Sequence, residues 1–389
     1  MLLEYLLAFL ALYVSVFFLL VYLQNEQRLN DPKPKRFPSL TIIVPAYNEE
    51  RNIAACLRSV LALRYPTKPQ VIVVNDGSTD RTGAIARRFP VTVIDKPNTG
   101  KADSLNVALK RARGELIAVL DADSRVAPDA AEKMVGYFDD PEVMAVTPVM
   151  KVRGKGWLRW AQRGEYLFNA FSKKLLSFID AVTVTPGPFS IYRRKVFKEL
   201  GGFDIHTLTE DQEMALRIQR ANYRIAASLE ALVFTEAPDS IGELWRQRKR
   251  WYLGFLQNIW KHRALLSPGY GDLGLFVLPV SLALVLLTVA SFLLNAYKSM
   301  AQPWAWLPSA PWELVFLELT PLHIVYVATF VAAMLGVAAT LKGTREGGMI
   351  DTFLSLSAAS FLMVIFWSFV FIVHVLNWTM GVKPVWKGE

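Results

Sequence analysis

Four long stretches without a charged residue, 5–24, 273–297, 320–341 and 352–382, decide most of what this chain can become. Each can cross a hydrocarbon core as a helix, which takes about 20 residues. Lipid offers backbone N–H and C=O groups no partner, so such stretches must satisfy them internally. The composition agrees: 53% of the residues are hydrophobic and the mean hydropathy is +0.27, above what one soluble domain shows. The first stretch reads as a retained helix rather than a signal peptide. Its apolar run exceeds an h-region, no basic n-region precedes it and no small-residue cleavage site follows. Arg28, Lys33, Lys35 and Arg36 follow the first stretch, and Lys342 and Arg345 separate the third from the fourth. Basic loops stay inside, which places about residues 25–270 in the cytoplasm and both termini outside; only Lys383 and Lys387 oppose this. The expectation is a multi-pass plasma-membrane protein with one cytoplasmic domain.

A net charge of +9 raises nucleic acid as a partner. The basic residues instead gather near membrane ends and among tryptophans, which favours an anionic lipid surface. The single cysteine, Cys56, excludes an intramolecular disulfide or a multi-cysteine zinc site and reads as a small buried apolar residue. The cytoplasmic segment alternates strand and helix. Strands are expected at 40–44, stopped by Pro45, and at 71–74, 91–94 and 116–120, with helices at 52–63, 81–88 and 104–111. That order predicts an α/β fold with a mostly parallel sheet and ligand residues at the carboxyl ends of its strands. No Gly-x-Gly-x-x-Gly follows the first strand, which argues against a NAD-binding domain.

Acidic motifs sit at those strand ends. Asn75-Asp76-Gly77-Ser78 follows the second strand, and Pro45-Ala46-Tyr47-Asn48-Glu49 the first; both also fit ordinary turn and helix-entry chemistry. Asp121-Ala122-Asp123 closes an apolar run, so its alternate carboxylates can share one hard cation with phosphate oxygens, implying Mg²⁺ or Mn²⁺. Lys101 lies in a glycine loop, Asn98-Thr99-Gly100-Lys101. Thr209-Glu210-Asp211 opens an apparent helix, where capping alone would explain its acids. In 244–260, Leu244, Trp251, Phe255 and Ile259 form a stripe among Arg246, Arg248, Lys249 and Arg250, the pattern of an interfacial helix. A second stripe, Trp157, Trp160, Gly164, Phe168, Phe171 and Leu175, reads as membrane docking without chemistry.

Taken in order over about residues 38–262, these segments resemble the family 2 glycosyltransferases, especially membrane-embedded polysaccharide synthases carrying Gln-x-x-Arg-Trp, here Gln247-Arg248-Lys249-Arg250-Trp251. Chitooligosaccharide, poly-N-acetylglucosamine, hyaluronan and cellulose synthases are of this type. The family has Asp-Asp-Gly where this chain has Asn75-Asp76-Gly77, and Ala where it has Ser104; Pro186 and Pro188 also depart from the acceptor-side loop. The resemblance implies a GT-A-like α/β domain and inverting transfer from a UDP-sugar to a growing polysaccharide. By the same resemblance Pro45, Tyr47, Glu49, Asp76, Lys101, Asp121, Gln247 and Arg248 bind the donor, and Asp121 and Asp123 hold the metal. Asp211 is then the base with Glu210 beside it, Arg250 holds the diphosphate and Trp251 stacks on the acceptor sugar. Transfer of one sugar to a ceramide- or polyprenyl-type lipid is the alternative enzyme, and an inactive export or scaffold subunit the non-enzymatic one. The expected organisation is a membrane helix over 1–24, the catalytic domain over 25–240, an amphipathic helix over 241–270 and three membrane helices over 271–389. A homo-oligomer would help so few helices to enclose a polymer.

Overall fold

The computed structural model describes residues 2–301, 321–345 and 347–379. In chain order the elements are α1 (Leu2–Asn25), β1 (Leu40–Ala46), α2 (Ile53–Leu61), β2 (Gln70–Asp76), α3 (Thr82–Ala86), β3 (Thr92–Lys96) and α4 (Lys101–Leu109). Then come β4 (Leu116–Val119), β5 (Arg125–Val126), α5 (Ala130–Val135), β6 (Val143–Arg153), α6 (Trp157–Phe178), β7 (Ser190–Arg193), α7 (Arg194–Glu199), α8 (Glu210–Arg220), β8 (Arg224–Glu236) and α9 (Ile241–Lys261). A wide turn at Leu273–Val277 leads into α10 (Leu278–Ala301), followed by α11 (Pro321–Thr344) and α12 (Met349–Thr379).

The strands form one mixed sheet in the order β3-β2-β1-β4-β7-β6-β8-β5. β3, β2, β1 and β4 are parallel. β7 runs antiparallel between β4 and β6, and β8 parallel to β6. Burial on both faces explains why the central strands are continuous apolar runs. Ile42, Val44, Val71, Val73, Leu116 and Ala118 share one core with α2 and α5; Ile43, Ile72, Val74, Ile117 and Val119 share another with α4 and α8.

Pro45 does not stop β1. The strand continues to Ala46, with Pro45 opposite Val74 of β2. The Ile43 carbonyl accepts from Leu120 N on the β4 side, so by strand alternation the missing N–H of Pro45 faces that side as well. Pairing with β4 ends at Ile43–Val119, and the proline forfeits no ladder hydrogen bond.

α1, α10, α11 and α12 include four helical spans long and apolar enough to cross a membrane, and the chain is a membrane protein. Thr320, residues 380–382, Lys383 and Lys387 lie outside the described residues. α6 lies between this bundle and the sheet. A Cβ on Gly164 would meet Ser355 Oγ at 2.2 Å and Leu356 N at 2.7 Å, so the glycine permits the crossing of α6 on α12. Trp160 Nε1 donates to Asp351 Oδ1 at 2.8 Å, and Phe171 packs beside Gly343 of α11.

Candidate active site

The carboxyl ends of β1, β2 and β4 open on one cleft, which the starts of α4 and α8 and the side of α9 complete. β1 delivers Tyr47, which is exposed, and Glu49, whose carboxylate accepts from Asn52 Nδ2 at 2.9 Å. Burial raises the Glu49 pKa, and Asp121 among its acidic neighbours adds to the rise.

Asp76 turns inward at the end of β2. Its oxygens accept from Thr99 N at 3.1 Å and Gly100 N at 3.0 Å, and Lys96 pairs with it. Gly77 has a φ of +69° beside Asn98, a turn that favours glycine. Asp76 therefore shapes the loop that presents Lys101. The neighbouring Asn75 donates to Asp95 Oδ1 at 2.8 Å, away from the cleft.

Lys101, at the start of α4, lies 2.6 Å from Asp121 and 3.1 Å from Glu210. Burial pulls its pKa down, but these two acids outweigh that and hold it above the usual lysine range. Asp123 accepts from Ser124 Oγ at 2.8 Å. Burial, then the nearby Asp121, pushes its carboxyl up to about 7. Buried Cys56 contributes no thiolate; its Sγ lies 3.8 Å from the Asp121 carbonyl.

At the start of α8 the Thr209 side chain makes no capping bond; its hydroxyl accepts from Asn258 Nδ2 at 2.9 Å. Glu210 is buried, and although burial opposes ionisation, Lys101 and then Arg250 hold its pKa below the ordinary value. Burial and the Glu210 charge push Asp211 up to about 6. Asp211 Oδ1 accepts from Gln212 N at 2.8 Å, and its carbonyl from Thr185 Oγ1 at 2.8 Å. A carboxyl of that acidity, beside a neighbour kept ionised, suits proton abstraction near neutral pH.

α9 reaches this point because Gly254 faces Thr209: a Cβ there would lie 2.4 Å from Thr209 Oγ1. Asn258 Nδ2 also donates to the Thr209 carbonyl at 3.1 Å. Arg250 thus comes to the mouth of α8, donating to the Leu208 carbonyl at 3.3 Å. The half-buried Trp251 lies beside Tyr166 and Val152.

The structure brings Glu49, Lys101, Asp121, Asp123, Glu210, Asp211 and Arg250 together but turns Arg248 away. Arg248 is 1% exposed, pairs with Glu165 Oε2 of α6 at 2.7 Å and lies 4.1 Å over the Trp251 ring. Gln247 Oε1 is buried without a hydrogen-bond partner among the described residues. Sequence reasoning missed Glu165, and also Lys173 of α6, whose pKa burial lowers to about 8 against the opposing charge of Asp211. It missed Glu213 as well, which binds Lys261 at 2.7 Å and His262 at 3.1 Å. Glu165 and Lys173 lie off the apolar stripe of α6, and only their polarity on a core-facing helix could have signalled them.

This is a GT-A-type α/β fold. A mannosyltransferase from Pyrobaculum calidifontis, solved with GDP-Man and Mn²⁺, shares it with a TM-score of 0.55 at 24% identity, over 88% of this chain and 98% of that one. Residues 41–201 match the model of Glycosyl transferase family 2. It is 31% identical over 248 residues to the poly-beta-1,6-N-acetyl-D-glucosamine synthase of Staphylococcus epidermidis, a match spanning 61% of this chain and 60% of that protein. With the Staphylococcus aureus (strain COL) enzyme of the same name, identity is 30% over 259 residues, 63% of each.

The buried Arg248–Glu165 pair carries its own test. Glu165→Ala strands a guanidinium in an apolar site and is expected to destabilise the protein by about 3–5 kcal/mol. Replacing both partners, Glu165→Leu with Arg248→Met, should recover most of that loss. Thermal unfolding in detergent reads it, and an Arg248 that binds ligand rather than Glu165 would give no such recovery.

Proposed function

We propose that the protein is an inverting glycosyltransferase of the cytoplasmic membrane face, adding sugars from a UDP-sugar to a growing polysaccharide. One observation carries this reading: Lys101 joins the Asp121 and Glu210 motifs within 2.6 and 3.1 Å, with the proton-accepting Asp211 beside them. The similarity to poly-N-acetylglucosamine synthases supports an N-acetylhexosamine donor and a polymeric product, and the basic loops after α1 and between α11 and α12 support the cytoplasmic orientation.

In this reading Tyr47 and Glu49 face the nucleoside, and Lys101 and Arg250 meet the diphosphate. Asp211 takes the proton of the attacking acceptor hydroxyl as the bond from the sugar to the diphosphate breaks. Glu210, held ionised by Lys101, keeps that carboxyl basic, and Trp251 supplies the face on which the acceptor sugar rests. Asp121 and Asp123 would hold a divalent cation, Mg²⁺ or Mn²⁺. No three acidic, histidine or cysteine groups form a metal cluster among the described residues, so an ion held by these two carboxylates would need diphosphate oxygens to complete its shell. Bound there, such an ion offsets charge on the departing diphosphate.

Asp123→Ala should abolish transfer and the gain in UDP affinity that Mn²⁺ or Mg²⁺ provides, with the fold intact. Unchanged wild-type turnover in EDTA would sink the metal assignment. For the base, kcat/KM of the wild type should fall about tenfold per pH unit below about pH 6, where the Asp211 carboxylate becomes protonated. Asp211→Asn should retain UDP binding while losing at least about 10²-fold in rate; persistent activity would move the base to another residue.

The polymer itself is tested by giving purified protein a panel of labelled UDP-sugars, with GDP-mannose included, and sizing the product. Aromatic stacking on a sugar face contributes about 1 kcal/mol, and each cycle must re-dock the chain end. Trp251→Ala should therefore shorten or abolish polymer while donor binding survives. A single sugar on an extractable lipid, with no longer product at any donor concentration, would replace the polysaccharide acceptor with a lipid one.

A further inference from the structure

A second cavity, of about 450 Å³, lies at the opposite end of β4 from the acidic cleft. Leu116, which opens β4, is on its wall, whereas Asp121 follows the other end of that strand. At about 3.3 Å per residue the two are about 17 Å apart, so an occupant of this cavity is not the sugar donor.

The walls are two directly paired strands and their extensions. Leu116 is opposite Arg193 in the β4–β7 ladder, and Arg194 N donates to the Glu115 carbonyl at 2.9 Å. Six cationic side chains line it: Arg36, Arg113, Arg193, Arg194, Lys195 and Lys198. Only two acids join them. Glu115 pairs with Arg36 at 3.0 Å, and Glu199 lies 3.7 Å from Lys195.

On the wall itself cations outnumber acids, six to two. Arg193 donates to the carbonyls of Val143 and Asp140, both at 2.8 Å, and Arg194 to that of Arg113 at 2.9 Å. Neutral carbonyls satisfy N–H groups without removing charge. Arg113 and Lys198 have no carboxylate within ion-pair distance among the described residues. Burial and then Arg36 lower the Arg193 pKa, against the opposing pull of Asp140, Asp139 and Glu115.

We propose that this cavity is a binding site for a small soluble anion carrying two or more phosphates. Guanidinium forks match phosphate oxygens in pairs, and the volume suits a small molecule rather than a polynucleotide. The apolar helices pack on α6, on β6 and β8 and on α8 and α9, whereas this cavity is lined by the segment before β1, the start of β4 and the β7–α7 stretch, so a soluble ligand fits better than a lipid headgroup.

The test uses full-length protein in detergent, with inorganic tripolyphosphate as the probe and EDTA present. Titration calorimetry should show binding that weakens as salt rises. Arg113→Gln combined with Lys198→Gln should lower that affinity at least tenfold, while UDP affinity with Mn²⁺ and the thermal midpoint stay unchanged. Absence of tripolyphosphate binding at low salt, or equal affinity in the double variant, would overturn the site. If the variant instead loses binding to phosphatidylglycerol nanodiscs while tripolyphosphate binding is unaltered, the soluble ligand is wrong and the patch serves lipid.

Discussion

The arrangement depends on one ammonium group. Glu49, Asp121, Asp123, Glu210 and Asp211 come from two strand ends and a helix start, and two such charges about 6 Å apart repel by about 3 kcal/mol at an effective dielectric of 20. Lys101 lies between Asp121 and Glu210 and lets β4 and α8 bring their acids together. It also divides the labour of neighbouring carboxyls. Glu210, in contact with the cation, stays ionised, while Asp211, buried and facing the Glu210 charge, becomes the more basic. Asp76 sets this up from a distance by fixing the loop before Lys101.

α8 is in turn held by α9. Glu213, buried on α8, accepts from Lys261 and His262 at the end of α9 and pairs with Arg217. Burial works against its ionisation, yet the His262, Arg217 and Lys261 contacts hold its pKa down to about 2. The stability from this depressed carboxyl is present above its ordinary pKa near 4 and is lost only as pH falls toward about 2. Asn258 ties the two helices at Thr209 from the same face. A helix that reads as interfacial in sequence is thus also the back wall of the acidic cleft.

What was legible in the sequence was local. The β-branched runs at 40–44 and 71–74 are strands because both their faces are covered, and the acids after them lie at strand ends as parallel βαβ units require. What escaped was set by partners far along the chain. Arg248 reads as a ligand-binding cation until Glu165, 83 residues earlier, is packed against it. His262 belongs to no sequence motif, and its partner appears only when α9 folds onto Glu213. Pro45 reads as a stop because sequence does not show on which side the neighbouring ladder ends. Asp76 reads as a donor-binding acid, and in the structure its carboxylate accepts from the Thr99 and Gly100 amides of the loop after β3.

α6 shows why the membrane bundle and the cleft belong to one mechanical unit. Its apolar stripe packs through Gly164 on α12 and through Phe171 on α11, while its polar residues face α9 and α8: Glu165 holds Arg248 over the Trp251 ring, and Lys173 lies within electrostatic reach of Asp211. α9 repeats the pattern, with Tyr252 stacked on Trp367 of α12 at 3.7 Å one residue after Trp251. α12 thus packs on two helices at once, and both carry side chains near Asp211 or Trp251. Close packing of this kind has low compressibility, so the bundle and the two helices beside Asp211 and Trp251 are coupled through α12.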